Sequence, residues 1–167
     1  EAAGMEGCHG CQTPMECRLK LRKNDDAKLV DPSLYRIIIG SLRYLVHSRP
    51  DITHVVGIVS RYMERPTVTH WTAVKQILRY MRSTLSYGCC YGRGSGKSEL
   101  LGYSDSDHAG DVEDRKSTSG QIFFLGSNHV TWASQKQKIV AISSCEAEYV
   151  AATSAATRGL WLARLLD

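Results

Sequence analysis

Apolar residues recur at spacings of three and four in four stretches of the chain, and three shorter apolar runs lie between the third and the fourth. The pattern predicts three short helices, a small sheet and then one long helix. The first helix starts at Asp31-Pro32, with Asp31 as cap and Pro32 at the first helical position. Tyr35, Ile38, Ile39, Leu42 and Leu45/Val46 follow at helical spacing, and Arg49-Pro50 closes the segment. The second runs from Asp51 with Ile52, Val55, Val56, Val59, Tyr62 and Met63 inward, and Arg65-Pro66 ends it. The third, from about Thr69, places Trp71, Val74, Leu78, Met81 and Leu85 on its inner face. Together they make a small helical bundle. Residues 1–30 show no sustained periodicity and read as an extended, loosely ordered lead-in.

The second part follows a linker of Gly, Ser and Lys at 94–98. Its Gly-Ser-Gly-Lys-Ser run is not a phosphate loop: Tyr91 stands where the first Gly belongs, and no buried strand and capping helix flank it. Strand one covers 100–105, an acidic turn runs from Asp107 to Asp114, and strands two (121–125) and three (130–134) form a hairpin about Gly126-Ser127-Asn128. Gln135-Lys136-Gln137-Lys138 reads as polar surface. The last helix opens after Ser143 and runs to Asp167. The fold class is α+β: a helical segment at 31–93, then a sheet-and-helix segment at 99–167.

Two acids stand out. Asp105 falls at the end of strand one. Taking Cys145 as reference, Glu148, Tyr149, Ala152, Ala156, Leu160 and Ala163 share one apolar face of the last helix. Glu146 lies three residues after Ser143, the capping-box spacing in which Ser143 caps the helix and Glu146 reaches back to the cap's own N–H. That leaves Glu148 as the carboxylate able to meet Asp105, and a shared Mg²⁺ would give both a partner. The plain alternative is a Glu148 that turns to solvent at the helix start.

Charge divides unevenly. Residues 1–97 carry 15 Lys+Arg against 8 Asp+Glu, and residues 98–167 carry 6 against 9. The helical part would set Arg43, Arg61, Lys75, Arg79 and Arg82, with His70 and Tyr80 nearby, on outer faces that suit a phosphate backbone or simply solvent. Of the six cysteines only Cys8-His9-Gly10-Cys11 has a ligand-like spacing, and without a second pair it is weak evidence for zinc. No stretch has the length and apolarity of a membrane span, and the first thirty residues lack a secretory core, so a soluble chain without membrane contact is expected. The first residue is Glu, which suits a chain that begins inside a longer product.

Residues 101–111, Asp114 to Gly120, Trp132 to Gln137 and Ser143 to Ala151 resemble, in order and in one register, the ribonuclease H domain of copia-type LTR retrotransposon polyproteins. Leu34-Tyr35-Arg36, residues 40–45, Arg49-Pro50-Asp51-Ile52 and Leu78-Arg79-Tyr80-Met81 resemble the reverse transcriptase thumb and connection that precede it. The resemblance implies a ribonuclease H-like fold, here three antiparallel strands and the first long helix. It implies hydrolysis of the RNA strand of an RNA/DNA hybrid with two Mg²⁺ ions. Asp105 and Glu148 match the first metal-binding aspartate and the glutamate of the first helix. Arg115, Lys116, Ser117, Thr118 and Ser119 match positions that contact the nucleic-acid backbone. The partners implied are the hybrid and the rest of the polyprotein, in the cytoplasmic particle or the nucleus.

His108 stands where the family usually has Trp, and the family's fourth strand, with its further acids, has no counterpart here. Two expectations follow: little or no hydrolysis by this chain alone, and self-association through the open edge of strand one. A non-catalytic reading stands beside these, a transposon-derived binding protein or secreted effector. Arg18-Leu19-Lys20-Leu21-Arg22 and Asp25-Asp26 resemble the Arg-x-Leu-Arg and acidic pattern of oomycete effectors, with Leu19 in place of the first Arg. That reading needs a signal sequence upstream of Glu1.

Overall fold

The computed structural model describes residues 4, 5, 7–17, 19–93 and 99–166. Among them are four α-helices and one three-stranded antiparallel sheet, an α+β architecture. The chain divides into two units, Glu1–Gly88 and Cys89–Asp167. The linker expected at 94–98 lies outside the described residues.

In the first unit α1 spans Pro32–Leu45, α2 Thr53–Val59 and α3 Val68–Ser83, with short 3₁₀ turns at Pro50–Ile52 and Ser60–Tyr62 on either side of α2. The Asp31 carboxylate accepts from the Ser33 N–H at 2.8 Å, satisfying one of the free amides at the start of α1. Tyr35, Ile39 and Leu42 then recur on one face and are fully buried against Ile52, Val56, Val59, Val74 and Ile77.

Of the expected inner face of α3, Val74 is buried and Trp71, Leu78 and Met81 pack against the core, but the most buried line lies beside them. His70, Ala73, Val74, Ile77 and Tyr80 are buried, whereas Leu85 lies past the helix end and is 81% exposed. Polar partners explain the shift. His70 Nδ1 accepts from the Thr67 N–H at 3.0 Å and Nε2 donates to the Arg22 carbonyl at 2.9 Å. The Tyr80 hydroxyl donates to Asp51 at 2.8 Å. A ring whose polar atoms are all paired buries at little cost, so a count of apolar residues alone passes over His70 and Tyr80. His70 and Tyr80 therefore belong to the core and not to a basic surface.

The lead-in is held rather than loose. Leu21 is buried, its carbonyl accepting from Tyr62. Leu29 bridges Thr67, with Val30 N–H on the Pro66 carbonyl and Val68 N–H on the Lys28 carbonyl. Arg79 and Arg82, expected on a phosphate-binding face, donate to the carbonyls of His9 and Cys8. Main-chain tethers of this kind leave no periodic trace in the sequence.

In the second unit β1 (Leu100–Ser106), β2 (Thr118–Leu125) and β3 (Asn128–Lys136) pair in the order β1-β2-β3. β2 starts three residues before the apolar run, because Asp107 and Thr118 exchange hydrogen bonds across the ladder. α4 (Ser144–Leu166) packs on β1 and β2. Its buried line is Ala147 and Ala151, continued by half-buried Ala155 and Gly159. The expected stripe is displaced: Cys145 and Glu148 are exposed, as are Tyr149 (78%) and Leu160 (64%).

Small residues let α4 approach the sheet, and the Phe123 ring fills the space between them. A Cβ at Gly102 would come within 2.4 Å of that ring, and one at Gly159 within 3.3 Å. A hydrophobicity count favours Leu and Tyr over Ala and so selects the wrong face. Beside the ring an open groove of about 440 Å³ separates β1 from α4, lined by Leu100, Ser104, Ala152 and Ala156 among others.

Candidate functional site

Asp105 pairs with Gly120 near the end of β1, and Glu148 lies in the first turns of α4. Their carboxylates converge on one backbone amide: the Ser106 N–H donates to Asp105 Oδ1 at 2.8 Å and to Glu148 Oε1 at 3.3 Å. The two oxygens therefore lie no farther apart than the sum of those distances. Both residues are exposed. A single amide hydrogen is shared between the two carboxylates among the contacts seen. Hard, open oxygen donors of this type fit a divalent cation that keeps part of its water shell, as Mg²⁺ does. Among the described residues no third His, Cys, Asp or Glu joins them in a metal-holding group.

The start of α4 fixes where Glu148 stands. Ser143 Oγ accepts from the Glu146 N–H at 3.1 Å, and the Ala147 N–H reaches the Ser143 carbonyl. The Glu146 carboxylate accepts from the Ile142 N–H at 2.7 Å, one residue before the amide that the capping-box pattern designates.

Sequence reasoning missed Gln137. Its side chain is buried at the junction of both strands and the helix, with Nε2 at 2.9 Å from Ser119 Oγ, 2.9 Å from the Ala147 carbonyl and 3.3 Å from Ser106 Oγ. Its own N–H donates to the Ser117 carbonyl. Nothing in the run Gln135-Lys136-Gln137-Lys138 separates the buried amide from its neighbours. The signal becomes available only once β3 is known to extend to Lys136.

Lys136 grips the acidic loop from the other side, its Nζ 2.6 Å from Asp111 and 2.8 Å from Asp114. Burial pushes the Asp111 carboxyl up, but the hydrogen bonds from Lys136 and from the Glu113 and Asp114 amides outweigh it and bring it down to about 2. A Cβ at Gly110 would sit 1.9 Å from Asp107 Oδ2, so any side chain there would displace the carboxylate that accepts from the Thr118 N–H. Of the five residues matched to nucleic-acid contacts, Ser117 is fully buried, its Oγ accepting from the Ala109 N–H at 3.1 Å, and Thr118 is 6% exposed. Ser119 accepts from Gln137. Arg115 is exposed, and Lys116 is half-buried beside Asp114.

The chain is 44% identical over 154 residues to the retrovirus-related Pol polyprotein from transposon RE2 of Arabidopsis thaliana, an alignment covering 92% of the chain and 10% of that protein. It is 41% identical over 175 residues to the Pol polyprotein from transposon TNT 1-94 of Nicotiana tabacum, covering all of the chain and 13% of the relative. A third relative, named secreted RxLR effector protein 161, from Plasmopara viticola, is 46% identical over 129 residues, which cover 77% of the chain and 90% of that protein. No protein-family profile matches, and no solved structure does. Along most of its length the chain is similar to retrovirus-related Pol polyproteins of transposons, which supports its being a fragment of such a polyprotein. It spans about a tenth of the length of the transposon polyproteins it matches.

Proposed function

We propose that the chain is a segment of a copia-type reverse transcriptase–ribonuclease H. Residues 31–93 correspond to the thumb and connection and residues 99–167 to the start of the nuclease domain. Asp105 and Glu148 are two of the carboxylates that hold Mg²⁺ for hydrolysis of RNA in an RNA/DNA hybrid. The observation that carries this reading is their convergence on the Ser106 amide. When bound, the metal supplies Lewis acidity toward a phosphodiester and an activated water. The chain's own part is to hold two oxygen donors together at an exposed strand end. Arg115, exposed on the acidic loop that follows β1, serves a phosphate as a charged contact. Two carboxylates alone bind a dication weakly, so the isolated chain turns over little, and the parent protein acts in the cytoplasmic particle or the nucleus.

The test uses Mn²⁺ as a paramagnetic stand-in. Selective broadening of the Ser106 and Glu148 resonances, lost in Asp105→Asn, is expected, together with hybrid cleavage near background in Mg²⁺. No broadening at millimolar Mn²⁺ would sink the metal-site reading. Turnover that vanishes in Asp105→Asn would show that the isolated chain is itself a nuclease.

One comparison favours a second reading, a non-catalytic secreted protein: the Plasmopara relative carries an effector name and is covered almost whole. Against it, Leu21 of the effector-like run is buried and tied to Tyr62, so that part of the run is not displayed. Arg18 lies outside the described residues.

A further inference from the structure

We infer that Gln137 is the positioning residue that brings the two carboxylates together. This inference rests on the reading of Asp105 and Glu148 as a metal-holding pair. Asp105 belongs to a strand and Glu148 to a helix some forty residues later, so their meeting needs a fixed relation between strand end and helix start. Glu148 directly follows Ala147, and Ser106 directly follows Asp105. The Gln137 amide touches both of those neighbours: Nε2 lies 2.9 Å from the Ala147 carbonyl and 3.3 Å from Ser106 Oγ. A third contact, 2.9 Å to Ser119 Oγ, ties the same group to β2, and the backbone bond to the Ser117 carbonyl fixes the residue carrying it. One side chain therefore spans both strands and the first turn of α4.

The amide is not there for stability alone. It is 6% exposed, and its Oε1 has no hydrogen-bond partner. A buried carbonyl oxygen left without a partner costs free energy that an apolar side chain of the same shape would avoid. What the apolar substitute lacks is direction, since it cannot fix the helix by its Ala147 carbonyl. Groups that orient metal ligands from behind in this way typically alter metal affinity by 10- to 100-fold when removed.

Gln137→Met keeps the length and removes both donors. In the full chain, the wild type is expected to show a nuclear Overhauser contact between the Ser106 amide proton and the Glu148 side chain. Gln137→Met loses that contact while keeping the β1–β2 and β2–β3 cross-strand contacts and the amide pattern of α4. Mn²⁺ affinity, read by the broadening titration, falls about tenfold in the same variant. Retention of the Ser106–Glu148 contact in Gln137→Met overturns the positioning role whatever the metal does. Loss of the contact together with an absence of Mn²⁺ binding in the wild type upholds the positioning and removes the metal reading beneath it. Should Gln137→Met fail to fold, Ser119→Ala removes one tether with less disturbance. It must then weaken the contact and Mn²⁺ binding in parallel, and an unchanged contact overturns the inference.

Discussion

Each unit holds a cation against a carboxylate, but in different surroundings. In the first, Arg49 is 4% exposed: it bonds Asp51 at 2.7 Å, the Thr84 carbonyl at 3.0 Å and the Thr84 hydroxyl at 2.8 Å, and lies over the rings of Tyr80 and Tyr87. Around it stands a continuous core of large aliphatic and aromatic side chains. In the second, the Lys136 side chain is 28% exposed, and the described buried apolar residues are Phe123 and four alanines, at 109, 141, 147 and 151. The helical unit is held chiefly by area removed from water. The sheet unit, with less apolar area to bury, relies on polar clasps at Lys136 and Gln137, which fix geometry more than they stabilise.

The largest effect should come from Arg49→Met. It takes the guanidinium from Asp51, which keeps the Tyr80 hydroxyl, and from the Thr84 carbonyl, which keeps the Tyr87 N–H, and it empties a buried site of its cation, at a cost of about 3 kcal/mol. Native-state hydrogen exchange of the α1 and α3 amides reads this locally. Lys136→Met, read on β2 and β3 amides, should cost less, roughly 2 kcal/mol, because the Glu113 and Asp114 amides go on donating to the buried Asp111 carboxylate and Asp114 is open to water. Equal costs would mean that burial does not distinguish the two clasps.

Acid separates the units further. Burial holds His70 below its ordinary 6.5, with the hydrogen bond to Arg22 and the charge of Asp25 opposing. Its folded pKa is depressed, so the stability it contributes is complete above about 6.5 and is lost as pH falls below that value. Asp111 is also depressed, from 3.8 to about 2, so its contribution of roughly 2 kcal/mol persists until about pH 4 and is lost between there and pH 2. Exchange measured across this range should weaken α3 from near neutrality downward and the acidic loop only below pH 4. In Asp111→Asn the second loss should vanish. A loop that loosens already at pH 6 would contradict this assignment.

The elements themselves were legible because caps and proline stops punctuate them: Asp31-Pro32, Pro50, Pro66 and Ser143 each stand within two residues of an element's start. The faces were less legible. On α3 and α4, burial depends on hydrogen-bonded His70 and Tyr80 or on small Ala147 and Ala151, which apolarity counts pass over. At the site, spacing put Glu148 on a stripe that the helix leaves exposed, and its approach to Asp105 at the Ser106 amide, like the burial of Gln137, is a product of register. The register of β2 and β3 depends on a bulge at Phe123/Phe124 that carries no sequence mark.

The smallest change in stability should come with a clear change in association. β1 is an edge strand with Leu101 40% and Tyr103 60% exposed and no Lys or Arg along its length. β3, the opposite edge, ends in Lys136. Free edge amides and carbonyls beside apolar side chains pair readily with other chains, and a lysine on the edge opposes this. The first unit has one isolated bridge and no strand ladder among its described residues, so it offers no such edge. Leu101→Lys in the full chain should therefore lower the mass seen by light scattering while shifting stability by no more than about 0.5 kcal/mol. Val130→Lys, a similarly exposed position on β3, serves as the control and should change the scattering little. An equal fall in both variants would indicate general stickiness of the sheet, and a fall only in Leu101→Lys would locate self-association at the β1 edge.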